Sequence, residues 1–157
     1  PNLNCRISGL EKFSPVKFII DKDLKTKLNS KVFRSDSTKT YIFHNKNDQT
    51  FVKKFKRKNV TPIFMEVHEN YFNLRSILKK IYLLGYANLL LEAGPNLSKE
   101  FLNSNLINEF YLFKANTKIN LINSINVSSI INLLSKKFKK RLDVNTFLDK
   151  ERLFRYH

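Results

Sequence analysis

The stretch Leu90-Leu91-Glu92-Ala93-Gly94-Pro95-Asn96-Leu97-Ser98 gathers the residue types best suited to chemistry in this chain. An apolar run delivers a carboxylate, Glu92, and a Gly-Pro pair then opens a short helical pattern carrying Leu97, Phe101 and Leu102. The start of a helix offers backbone N–H groups that lack intrahelical partners, and these suit an anion such as a cofactor phosphate. Gly94 lets the backbone approach a ligand closely, and Pro95 fits a first helical turn. In open α/β sheets ligands settle beyond the carboxyl ends of strands, which is where Glu92 would stand. The same residues also fit a plain strand–helix connection in which Glu92 caps nearby amides. On the residues alone both readings stay open.

Other chemistries lack their residues. His44, His68 and His157 have no metal-ligand spacing, and the single cysteine, Cys5, excludes an internal disulfide and any cysteine-cluster zinc site. With only Gly9, Gly85 and Gly94 there is no P-loop and no GxGxxG fingerprint. Ser14, Ser30 and Ser98 stand outside any nucleophile-elbow setting. No apolar run is long enough for a membrane span, and the N-terminus lacks a signal-peptide layout, so the expected setting is cytoplasmic.

The elements that must position the junction follow from periodicity. Val16–Asp21, Thr40–His44 and Val60–Met65 are short β-branched or aromatic runs and predict strands, the third weakened by Pro62. Leu74, Ile77, Leu78, Ile81 and Leu84 share one helical face that Gly85 can end. Asn88–Glu92 reads as a fully buried strand, and 108–115 returns as a strand after the short helix. The strand–helix–strand order around 60–115 predicts an α/β domain with parallel pairing, and 142–144 and 153–156 predict short closing strands. At 157 residues, 42% of them hydrophobic, the chain is the size of one domain with a real core.

Charge is the loudest feature of the composition. Lys and Arg total 29 against 13 acidic residues, a net charge of +16, which suits polyanions from RNA to small phosphates. Two near-repeats, Lys53-Lys54-Phe55-Lys56-Arg57-Lys58 and Lys136-Lys137-Phe138-Lys139-Lys140-Arg141, would make an RNA-binding module if their phenylalanines stacked on bases. The plain alternative is a lysine-biased chain with solvated surfaces and each Phe turned inward.

The motif Leu-Leu-Glu-Ala-Gly-Pro-x-Leu at 90–97, with Phe101-Leu102 and 106–113 after it, resembles the C-terminal reductase domain of the bifunctional riboflavin-biosynthesis deaminase/reductase. Pro1–Arg6 resembles that family's Pro-x-Leu-x-x-Arg segment, Ser14–Asp21 its next strand, and Leu28–Phe33 its Leu-x-Ser-Lys segment, all collinear. The resemblance implies an α/β, dihydrofolate-reductase-like fold with a mixed, largely parallel sheet flanked by helices. It further implies that 1–157 is a single reductase domain, truncated at its N-terminus and without its first strand and helix. The implied activity is NADPH-dependent reduction of the ribosyl group of 5-amino-6-(5-phosphoribosylamino)uracil to ribityl. Leu3, Arg6 and Glu92 then match substrate-binding positions. Lys22, Gly94, Pro95, Asn96, Leu97, Ser98, Lys99 and Glu100 match cofactor-binding positions. No catalytic residue and no metal ligand is assigned. An N-terminal zinc deaminase domain in the parent chain and a homodimer are the implied partners, and neither nucleic acid nor membrane is. The chain departs from the family pattern at Lys22, where a small hydroxyl residue is usual, and at Asn108 and Asn116, where Asp and Pro are usual.

Overall fold

A computed structural model of the chain describes residues 3–34, 38–57, 59–115, 128–145 and 151–157, so Pro1, Asn2, Lys58 and Asn116 lie outside the described residues. The chain divides into two compact units, Pro1–Gly85 and Tyr86–His157.

In the first unit the three predicted strands form one parallel sheet. Strands β1 (Lys17–Ile20), β2 (Thr40–His44) and β3 (Val60–Phe64) lie in the order β1-β2-β3. All five residues of β2 are buried, as a central parallel strand covered on both faces must be. Pro62 pairs with Ile42 on the outer strand β3, where a missing backbone donor can face away from the ladder. Helix α1 (Gln49–Lys53) lies in the connection from β2 to β3, and the Asp48 side chain caps it by accepting from Phe51 N–H at 2.9 Å. The core of this unit joins Leu24, Val32, Phe33, Ile42, Val52, Phe55 and Val60. Phe18 stacks on Tyr41 and Phe43 across the β1–β2 pair, with centroids 5.3 and 6.2 Å apart.

After the two-residue hairpin strands β4 (Val67–His68) and β5 (Tyr71–Phe72) comes helix α2 (Leu74–Leu83). Asn73 caps it at Ser76 N–H, Ile77 and Ile81 are buried, and Gly85 at φ +93° ends it as expected.

Lys17 is a cation inside this unit. It is 2% exposed, and its Nζ donates to the Val32 carbonyl at 3.2 Å. Burial pushes its pKa below the ordinary 10.5. The folded chain thus releases this proton at lower pH than the unfolded chain does, and the Lys17 contribution makes stability rise with pH toward 10.5. Lys17→Met should raise stability at neutral pH and flatten that rise, as measured by urea unfolding between neutral and alkaline pH. Unchanged stability and an unchanged pH slope would mean that the ammonium is not desolvated.

In the second unit helix α3 (Pro95–Asn103) is followed by β6 (Phe110–Lys114), α4 (Ser128–Lys137), β7 (Arg141–Val144) and β8 (Arg152–Tyr156). The strands form an antiparallel sheet in the order β6-β8-β7. Leu102 of α3 and Ile130 and Leu134 of α4 share a core with Phe154 and Tyr156 of β8. At the start of β6 the Glu109 carboxylate accepts from Arg155 at 2.6 Å and from the Tyr111 hydroxyl at 2.9 Å. The Arg155 hydrogen bond holds the Glu109 pKa below the usual carboxylate range.

The expected parallel pairing is present as β1–β2 and β2–β3, and β6 pairs antiparallel with β8, so the sheets are mixed. One expectation needs correction. Residues 88–92 belong to no ladder among the described residues, and Leu90 is 82% exposed. An apolar run reports a demand for burial. A strand also needs a neighbouring strand to take its backbone hydrogen bonds, and none of the described strands fills that place.

Candidate functional site

The carboxyl edge of the parallel sheet collects polar groups from all three strands. After β1, the Asp21 carboxylate accepts from Lys25 N–H at 2.9 Å, Thr26 N–H at 2.7 Å and Thr26 Oγ1 at 2.6 Å, which fixes the following loop. The Lys22 carbonyl faces the next strand end, where it accepts from Asn45 N–H at 2.8 Å. The Lys22 ammonium lies 2.5 Å from Asn70 Oδ1 and 3.1 Å from Asp23, so this expected cofactor contact is held in place by two partners. At the end of β2, His44 is buried and its Nδ1 accepts from Lys46 N–H at 3.1 Å. Burial lowers its pKa, and the accepted bond leaves the proton on Nε2. Asn45 Nδ2 donates to the Met65 carbonyl at 2.7 Å, which ties the ends of β2 and β3.

Sequence reasoning set His44 aside for lack of metal spacing and did not single out Asn45 or Asn70. Their signal was positional, a histidine closing a strand with Asn next to it, and it gains meaning only once the strands are parallel and in register.

Of the substrate positions in this unit, Leu3 packs against the core at φ +49°. Arg6 is exposed and in no ion pair among the described residues.

The remaining expected residues lie in the second unit. Gly94 is the N-cap of α3 at φ −65°, ψ 168°, and Pro95 occupies the first turn. Ser98 N–H makes the first helical bond, to the Gly94 carbonyl at 3.1 Å, and Ser98 Oγ donates to the Ala93 carbonyl at 3.3 Å. Ser98 is therefore occupied in closing the turn. The N–H groups of Asn96 and Leu97 point out of the helix start without intrahelical acceptors. A Cβ placed on Gly94 would meet nothing within 4 Å, so the space over this turn is open to a ligand. Lys99 and Glu100 are exposed, and the Glu92 carboxylate is exposed without a hydrogen bond or ion pair among the described residues. It does not take the capping role that was its plain alternative.

The basic clusters do not offer base-stacking rings. Phe55 is 2% exposed in the first core, and Phe138 packs into the second beside Tyr156, with centroids 6.3 Å apart. This favours lysines on solvated surfaces over an RNA-binding module.

Residues 1–117 match the family model described as the RibD C-terminal domain. The chain belongs to that family. The riboflavin biosynthesis protein RibD of Aquifex aeolicus (strain VF5) is 30% identical over 115 residues, covering 73% of this chain and 31% of that protein. The chain thus spans less than a third of the length of this relative. The mixed α/β architecture, with a three-stranded parallel sheet flanked by helices, is that of a RibD C-terminal domain. The match ends before α4, β7 and β8, which complete the second unit beyond residue 117. No described helix is long and apolar enough to cross a membrane.

Proposed function

We propose that this RibD C-terminal domain reduces the ribosyl group of 5-amino-6-(5-phosphoribosylamino)uracil to ribityl with NADPH, acting within the single reductase domain of a longer deaminase/reductase chain in the cytoplasm. The observation that carries this reading is the Glu92–Gly94–α3 junction, which combines an unpaired carboxylate with an open, anion-compatible helix start on the motif that led to the family. The helix start in the second unit fits an anionic cofactor group, because the N–H groups of Asn96 and Leu97 suit phosphate oxygens. When bound, NADPH supplies the hydride that the sugar carbon receives. Arg6 grips the substrate phosphate with parallel N–H donors, and Glu92 accepts hydrogen bonds from sugar hydroxyls or ring N–H groups, orienting the carbon to be reduced.

The test is NADPH oxidation with the phosphorylated substrate in the full-length protein, comparing wild type with Glu92→Gln. Losing one charge-assisted hydrogen bond should lower turnover roughly tenfold, about 1.5 kcal/mol, with NADPH affinity and fold intact. Equal kinetics in the two proteins would remove Glu92 from the site, and absence of NADPH oxidation by wild type would overturn the reductase reading.

A further inference from the structure

The ends of the parallel strands are tied into a closed circuit of hydrogen bonds. The Lys22 carbonyl accepts from Asn45 N–H at 2.8 Å, and Asn45 Nδ2 donates to the Met65 carbonyl at 2.7 Å. Met65 leads into the β4–β5 hairpin. The circuit closes where the Lys22 ammonium donates to Asn70 Oδ1 at 2.5 Å, between residues 48 positions apart. Because β2 is the middle strand, a hairpin that leaves β3 and is held at its tip beside the end of β1 crosses the carboxyl end of β2. That edge is where an open parallel sheet receives a ligand.

The hairpin needs this tie. Each of its strands has only two residues, and an isolated two-stranded hairpin is at best marginal in water. Its turn puts Glu69 at φ +48° and Asn70 at φ +70°, and the left-handed region is costly for a glutamate. Asn70 tolerates that conformation and also supplies the acceptor. Asp23 lies 3.1 Å from the Lys22 ammonium but pairs with Lys25 as well, at 2.9 Å, so it keeps a cation without Lys22. The Asn70 side chain has no other hydrogen-bond partner among the described residues. The small hydroxyl residue usual at position 22 in the family is too short to bridge strand and hairpin, so this tie comes with the lysine.

We infer that Lys22 is a positioning residue: its ammonium clamps Asn70 and fixes the β4–β5 hairpin as a wall across the carboxyl edge of the sheet. Lys22 thereby strengthens cofactor binding through the hairpin and not by touching the cofactor. A wall already in place spares the complex the cost of ordering it on binding. The effect on the cofactor rests on the reductase reading, whereas the clamp rests on the hydrogen bonds alone.

The test compares the full-length protein with Lys22→Ser, Asn70→Gly, the double variant and Lys22→Arg. Glycine at position 70 keeps the positive φ and removes only the acceptor. Without NADPH, amide hydrogen exchange at 67–72 should quicken roughly tenfold in each single variant and no further in the double variant. Lys22→Arg, which keeps a cationic donor, should restore slow exchange. In turnover, the Michaelis constant for NADPH should rise roughly fivefold in both single variants and no further in the double, with kcat within about twofold of wild type. Unchanged exchange in Lys22→Ser would overturn the clamp. A loss of NADPH affinity in Lys22→Ser that Asn70→Gly does not share would also overturn the proposal, because it assigns the ammonium to the cofactor itself. If wild type oxidises no NADPH, the reductase reading falls, and the exchange rates still decide whether the clamp exists.

Discussion

Arg6→Ala should raise the Michaelis constant for the phosphorylated substrate by about a hundredfold, whereas neutralising Lys53, Lys54 and Lys56 together should change it by less than about twofold. The difference follows from geometry. An exposed guanidinium without an ion pair among the described residues keeps its donors for a phosphate, and two parallel charge-assisted bonds are lost together when it is removed. The three lysines flank a phenylalanine that is spent on the core, so their action is long-range steering, screened beyond about 8 Å at physiological salt. The measurement is steady-state kinetics of the full-length protein at two ionic strengths. If the triple-lysine protein loses more than Arg6→Ala and also stops retaining RNA, the substrate-phosphate role of Arg6 fails and the basic-module reading replaces it.

Gly94→Val should weaken NADPH binding by roughly a hundredfold while leaving a folded protein. The structure makes this a clean experiment. Gly94 sits at φ −65°, ψ 168°, which valine can adopt, and its Cβ would meet nothing within 4 Å. The loss at the helix N-cap is only about 1 kcal/mol. The added isopropyl group instead occupies the open space over the N–H groups of Asn96 and Leu97, where cofactor phosphate is proposed to lie. Fluorescence titration with NADPH, paired with thermal unfolding, separates the two effects. Wild-type affinity in a folded Gly94→Val protein would move the phosphate site away from α3.

Local signals in the sequence carried much of the fold. Thr40–His44 is a strand to the residue because a β-branched and aromatic run suits a central parallel strand. The helix ending at Gly85 was legible because its apolar face and its left-handed terminator lie within a dozen neighbouring positions. The Gly94-Pro95 helix start was legible for the same reason, and the closing strands expected at 142–144 and 153–156 each begin one residue earlier in the structure. The collinear motifs, read together, pointed to the family.

Tertiary structure decided what depends on neighbours distant in sequence. Which strands run parallel is set by pairing across 20 or so residues, and local periodicity is silent on it. Burial of Phe55 in the first core and packing of the half-buried Phe138 against the second took both rings out of the expected base-stacking role, because a ring's direction depends on the cavity it can fill. His44, Asn45, Asn70 and Lys22 became one polar edge only when three strand ends and a hairpin were aligned. The run at 88–92 was written as a buried strand, yet it stands exposed, because hydrophobicity is a property of the segment and a ladder is a property of the pair.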